Sequence, residues 1–173
     1  FKQKTAYEIK ECDWSSDVCS SDLKQIADLF NAADLDGLAS PDIRREIWRK
    51  IMTNISSNPI AALTRLVAKD AATIPGLSDI AATLIREALE VAAADGSDLR
   101  GEIDPVARVA GGRAPGKSSM LQDVEAGRPV EAEAILGQVQ AFGRERGIAT
   151  PTIDVVCALL RGLDLSIRLA RGG

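Results

Sequence analysis

From Lys24 to Gly173 the apolar residues recur at three- and four-residue intervals, and no stretch alternates apolar with polar residues as a half-buried strand would. Ile43, Ile47, Ile51 and Ile55 make the plainest stripe, and Ile80, Leu84, Ile85, Leu89, Val91 and Ala92 make a longer one. Side chains at that spacing share one face of a helix, and each face can be buried only against another helix. The chain is therefore expected to be all-α, a helical bundle around one core.

Residues that start and stop helices divide the pattern. One helix is expected from Lys24 to about Ala33. Gly37 and Ser40-Pro41 then close one element and open the next, with Ser40 as N-cap and Pro41 at the first helical position. That second helix should run to about Ser57, and Pro59 should open a further one through Ile60, Leu63 and Val67. Ser78 reads as the cap of the long helix that Gly96 ends, and Asp104-Pro105 starts a short one. Ser119 followed by Gln122 reads as a capping box, whose unpaired first-turn amides and helix dipole suit a carboxylate or phosphate. Gly127, Arg128 and Pro129 separate it from a helix over Val130 to about Arg146, with Glu131 in the first turn and Gly147 as the stop. Thr150-Pro151 caps the last helix.

Residues 1–23 are of another kind. Lys2 to Glu8 and Asp13 to Leu23 resemble translated short-read sequencing adapter, and the segment has neither the apolar core of a signal peptide nor the Arg-rich face of a transit peptide. It is read as an assembly artefact, disordered or irregular, with the helical domain over residues 24–173. Those 150 residues are close to a single-domain length. Their 18 basic and 20 acidic residues make no electrostatic case for nucleic acid or an anionic membrane. No apolar run approaches the roughly 18 residues of a membrane span, and a cytoplasmic setting is expected.

The absence of histidine excludes a histidine-based triad and argues against the common zinc sites, so no metal is expected. Cys157, inside Val155-Val156-Cys157-Ala158-Leu159-Leu160, reads as a small buried hydrophobe. Gly111 to Ser118 matches G-x-x-x-x-G-K-[ST] literally. A phosphate loop needs a buried strand before it and a parallel sheet around it, and Pro115 lacks an N–H where amides would face phosphate, so the match is read as coincidence.

Two runs carry more. In Trp48-Arg49-Lys50-Ile51-Met52-Thr53-Asn54-Ile55-Ser56-Ser57-Asn58-Pro59, Lys50, Asn54 and Asn58 fall within roughly 80° on a helix, which lines an ammonium and two amides along one face. A solvated polar face is the plainer reading on composition alone. The second run is Ser118-Ser119-Met120-Leu121-Gln122-Asp123 with Glu131 beyond it. Together, in this order and separation, the runs resemble the C-terminal domain of the ketopantoate reductases, and the resemblance covers nearly all of residues 24–173.

That resemblance implies a helical domain like the C-terminal domain of 6-phosphogluconate dehydrogenase, following an N-terminal dinucleotide-binding domain. It implies an NADPH-dependent reduction of 2-dehydropantoate in pantothenate biosynthesis, with Lys50 as catalytic lysine, Glu131 as active-site glutamate, Asn54 and Asn58 as substrate-contacting amides, and Ser119 as the binder of the substrate carboxylate. The chemistry is coherent: an ammonium at a ketone oxygen stabilises the alkoxide formed on reduction and supplies its proton. Lys50, Asn54, Ser119 and Glu131 would then line one groove. The chain departs from the family in lacking any G-x-G-x-x-G after a strand, which leaves the cofactor-binding residues unknown, and in showing no further amide within Leu63 to Asp70. Adapter-like sequence where a cofactor domain would precede implies a truncated, inactive fragment. Two other readings stay open: a reductase of the same family for another small 2-keto acid, and a non-catalytic helical docking or dimerisation module. A homodimer is compatible with each.

Overall fold

The structure is a computed structural model that describes the backbone of residues 17–111 and 116–172. Among the described residues all regular structure is helical. The helices are α1 (Asp17–Ala32), α2 (Ile43–Thr64), α3 (Ala68–Ala71), α4 (Pro75–Ala94), α5 (Pro105–Gly111), α6 (Ser119–Glu125), α7 (Gln138–Arg146) and α8 (Pro151–Gly172). A π-helical turn over Glu133–Gly137 leads directly into α7. The expected all-α class is what is found.

The chain forms two compact units, residues 1–43 and 44–173. In the first, α1 begins at Asp17, so the end of the segment set aside as irregular is helical; residues 1–16 lie outside the described residues. After α1 the chain turns back at Gly37, whose N–H donates to the Asn31 Oδ1 at 2.8 Å while its carbonyl accepts from Asn31 Nδ2 at 2.9 Å. Gly37 lies so close to α1 that a Cβ there would come within 2.6 Å of the Ala27 carbonyl oxygen. The second unit starts twenty residues later than the helical domain was expected to.

In the second unit one core joins Trp48, Met52 and Ile55 of α2 to Leu84, Ile85 and Val91 of α4. Met120 and Val124 of α6, Leu136, Val139 of α7, and Ile153, Cys157 and Leu160 of α8 complete it. The seam that α2 buries is thus not its isoleucine stripe: Ile47 is 54% exposed, and only Ile55 belongs to both. Trp48 presents more apolar area than any isoleucine, and its burial together with Met52 and Ile55 fixes the rotation of the helix. The indole N–H of Trp48 donates to the Asp95 carboxylate at 2.9 Å, and its ring stands 6.1 Å from that of Phe142. Arg146 closes this knot, bonded to Asp95 and 4.9 Å over the Phe142 ring.

Three expected boundaries move. α2 begins at Ile43, so Pro41 lies ahead of the helix and not at its first position, and the Ser40 hydroxyl accepts from the Asp42 N–H at 3.2 Å. Pro59 lies inside α2 and does not open a new helix. Proline removes the N–H that would bond the Ile55 carbonyl, but Asn58, Pro59, Ile60, Ala61 and Ala62 are all buried, and packing keeps the helix continuous. α4 starts at Pro75, after Ile74, instead of being capped by Ser78, whose hydroxyl bonds the Ala72 carbonyl at 3.4 Å. α8 starts at Pro151 as expected, and the first-turn amides of Thr152 and Ile153 donate to the Glu87 carboxylate of α4, each at 2.9 Å, while Thr150 bonds Asp154. The glycine stops at Gly96 and Gly147 are as expected, with φ of 88° and 69° and closing bonds Ser97 N–H to Ala92 and Ile148 N–H to Gly143, both 2.8 Å.

Candidate functional site

Because Trp48, Met52 and Ile55 fix the rotation of α2, the polar residues between them emerge at its flank. Lys50 is exposed, Asn54 is half-buried and Asn58 is 7% exposed. At i, i+4 and i+8 their Cα atoms step about 6 Å apart along one face. Arg45 and Arg49, on the same helix, both pair with Glu102. Lys50 has no ionic or hydrogen-bonding partner among the described residues. Asn58 accepts from the Ser57 hydroxyl at 3.4 Å, and its amide nitrogen has no acceptor among the described residues.

Ser119 is the first residue of α6, not its cap. Ser118 is the N-cap, in extended conformation, and its hydroxyl accepts from the Leu121 N–H at 3.3 Å. Gln122 reaches back to the Lys117 carbonyl at 2.9 Å, where a capping box would send it to the cap N–H. The motif is therefore displaced by one residue: two adjacent serines offer the same hydroxyl, and burial of Met120, Leu121 and Val124 selects the register. With Ser118 committed to the cap, the Ser119 side chain is exposed and makes no bond within the described residues. Lys117, bonded to Glu125 at 2.8 Å, precedes it; residues 112–115 of the phosphate-loop-like match lie outside the described residues.

Glu131 also differs in register. It is not in a first helical turn but directly before one, between buried Val130 and buried Ala132. Its carboxylate has no partner among the described residues, and Glu131 lines a cavity of about 440 Å³ together with Leu165 and Arg168 of α8. The neighbouring charges are committed. Glu133 pairs with Arg161 through two bonds of 2.5 and 2.8 Å, and this holds the Glu133 carboxyl below the usual carboxylate range. Asp164 accepts from the Val130 N–H at 2.9 Å and from Arg168 at 2.6 Å. Burial opposes ionisation of Asp164, but these bonds outweigh it and its pKa is lowered.

Met52, between Lys50 and Asn54 on α2, shares one core with Met120, beside Ser119, and with Val130 and Ala132, which bracket Glu131. The three segments carrying the five residues thus rest on a common core. Of the five, Glu131 alone lines the 440 Å³ cavity. A second cavity, about 340 Å³, is lined by Thr53, Ser56 and Ser57 of α2 and by Arg108, and by none of the five. Sequence reasoning missed the bonds that steady these segments, such as Asp164 to Val130 and Asp95 to Trp48, because they join residues remote in the chain without a motif. Cys157 is buried as expected, and burial raises its thiol pKa above the ordinary value. No helix of the described residues is long and apolar enough to cross a membrane.

Comparison with known proteins agrees with this architecture. Residues 42–164 match the family model described as ketopantoate reductase PanE/ApbA C terminal. A 2-dehydropantoate 2-reductase of Mesorhizobium japonicum is 41% identical over 130 residues, 73% of this chain and 40% of that protein. The crystal structure of 2-dehydropantoate 2-reductase from Methylococcus capsulatus is similar with a TM-score of 0.75 and 34% identity, over 86% of this chain and 52% of that one. In fold the chain also resembles D-mandelate dehydrogenase, solved with NADH and anilino(oxo)acetate, with a TM-score of 0.80 at 23% identity over 88% of this chain. The chain spans about half the length of the relatives it matches.

Proposed function

The chain belongs to the ketopantoate reductase family, whose C-terminal domain it carries, and from that premise we propose that it is the substrate-binding and proton-donating half of an NADPH-dependent 2-dehydropantoate 2-reductase. The observation that carries the reading is the contrast in commitment. Lys50 and Glu131 have no partner among the described residues, while Arg45, Arg49, Glu133 and Asp164 beside them are ion-paired. Charged groups kept out of internal pairs are available to a ligand.

Reduction of a 2-keto acid builds negative charge on the carbonyl oxygen. The Lys50 ammonium stabilises that charge and gives the oxygen its proton, a role that an ion-paired lysine would fill less well. Asn54 and Asn58 present amide donors and acceptors along the same face, Ser119 offers its hydroxyl to the substrate carboxylate at the start of α6, and Glu131 orients the substrate's hydroxyl. None of the described elements has the strand and glycine turn of a dinucleotide cradle, so no described residue is assigned to NADPH. The cofactor is proposed to be held by a separate dinucleotide-binding domain, as a partner to this one, and this chain alone is proposed to be inactive. No nucleic acid or membrane is a proposed partner; the setting is cytoplasmic, and self-association as a homodimer is proposed through the exposed α8 face of Val155, Leu159, Leu165 and Leu169.

Joining a dinucleotide-binding domain of the family ahead of residue 24 tests this. The fusion should oxidise NADPH in the presence of ketopantoate, and Lys50→Ala should lower kcat by about 100-fold or more. A folded fusion that turns over ketopantoate equally well without Lys50 would refute the assignment, and turnover of a different 2-keto acid only would move it to that substrate.

A further inference from the structure

Glu131 is not held by secondary structure of its own. Residues 128–131 form no helical turn, Pro129 has no N–H to bond, and the chain becomes helical again only at Ala132. Val130 and Ala132 are buried on either side, which fixes the depth of the segment but not the direction of an exposed side chain between them. A group that is to meet a ligand in one orientation must be held to within about 0.5 Å, and in an irregular segment that takes bonds from a neighbouring element.

That element is α8. Arg161, Asp164 and Arg168 fall within roughly 60° of one another on its surface, and they grip the chain on both sides of Glu131. Ahead of it, Asp164 Oδ1 accepts from the Val130 N–H at 2.9 Å, and Asp164 Oδ2 accepts from Arg168 at 2.6 Å. Beyond it, Arg161 donates to both oxygens of Glu133 and, at 3.3 Å, to the buried Gln140. Gly137 makes this second grip possible, because a Cβ there would collide with the Glu133 carboxylate. Exposed ion pairs of this kind contribute little to stability. Their arrangement is what matters: each of the other charged residues lining the 440 Å³ cavity is paired in holding the chain beside Glu131, and Glu131 is left unpaired. The bond to the Val130 N–H acts nearest to Glu131, and Asp164 is the least exposed of these four paired side chains, at 18%.

We infer that Asp164 is a positioning residue for Glu131. It ties the peptide ahead of Glu131 to α8, and Arg168 fixes the orientation of its carboxylate, so that Glu131 meets the substrate's hydroxyl in one geometry. Asp164 itself touches no substrate and acts through the backbone. The inference rests on the role proposed for Glu131.

Kinetics of the fusion test it. Asp164→Ala should lower kcat/KM for ketopantoate about tenfold, mainly through a raised KM, and Asp164→Asn, whose amide oxygen can accept the same N–H, should restore it to within about threefold. In a Glu131→Ala background Asp164→Ala should change kcat/KM by less than about twofold, because the group it positions is gone. A merely structural role predicts an equal loss in both backgrounds, and that result would overturn the inference, as would full activity of Asp164→Ala. Should Asp164→Ala fail to fold, Arg168→Gln at an exposed side chain decides in its place, with an expected rise in KM of about threefold. Unchanged turnover by Glu131→Ala alone would remove the role of Glu131 and the inference with it. Hydrogen exchange in the full, unfused chain gives a readout independent of activity: the Val130 amide should exchange at least about tenfold faster in Asp164→Ala, while that of Leu160 in the core stays as it was. Unchanged exchange at Val130 would overturn the inference and leave the role of Glu131 standing.

Discussion

A charged side chain is worth most to a ligand where the protein has not already spent it, and Lys50 meets that condition while Arg49 beside it does not. Lys50→Arg separates the two tasks given to the ammonium. Arginine keeps the charge but is effectively never a proton donor at neutral pH, so in an active fusion kcat should fall nearly as far as with alanine while KM changes little. Recovery of a tenth of the wild-type kcat or more would reduce Lys50 to a point charge. Asp164 makes a prediction about pH. Its native pKa lies below the unfolded value near 3.9, so its contribution is present above about pH 4 and is lost as pH falls through the native value. Asp164→Asn should therefore cost about 1 kcal/mol at pH 7, read by urea unfolding, with the difference shrinking under acid conditions. A constant difference down to pH 2 would show that packing, not the carboxylate, is responsible. The five candidate residues were legible because each belongs to a run with a recognisable order. Their registers were less so: Ser118 and Ser119 are chemically the same cap, and only the burial of Met120 and Leu121 decides between them.

Helix identity followed from spacing and from stops such as Gly96 and Gly147, whose left-handed φ values need glycine. What spacing could not show was which of two apolar faces is buried. On α2 the isoleucines and the Trp48-Met52-Ile55 seam are both helical patterns, and tertiary packing chose the second. Nor could it show that Glu87, on another helix, caps α8. Glu87→Ala would leave the amides of Thr152 and Ile153 without acceptors and should cost about 1–3 kcal/mol in chemical unfolding. A change below a few tenths would mean that water serves as well. The π-helical turn makes a finer case. A Cβ at Gly137 would collide with the Glu133 carboxylate, which is held by Arg161. Gly137→Ala gains about 0.5–1 kcal/mol of helix propensity and gives up an exposed ion pair worth about the same or less, so stability should hardly move. The Glu133 pKa, followed by carboxyl NMR, should instead rise toward the ordinary value; an unmoved pKa would show that the pair adapts.

At the scale of the whole chain, the family match begins at residue 42 and the second compact unit at residue 44, so the sequence holding the core and all five candidate residues starts well after the adapter-like segment. That unit has its own continuous core from Trp48 to Ile167, and every buried residue named in it lies within residues 44–173. Residues 17–23 are helical, but a helix can form at the end of a chain without stabilising a core elsewhere. The adapter-like wording of residues 1–23 then predicts that they add nothing to the stability of the core. A chain of residues 24–173 should melt at the temperature of the full chain, followed by circular dichroism at equal concentration. For a chain of this size about 1 kcal/mol corresponds to about 2–4 °C, so a fall of more than about 4 °C on truncation would show that the segment contributes to the fold. The same pair of chains bears on the proposed reaction, because neither should oxidise NADPH with ketopantoate until a dinucleotide-binding domain is supplied. Turnover by the unfused chain would place both the cofactor site and the chemistry within these 173 residues.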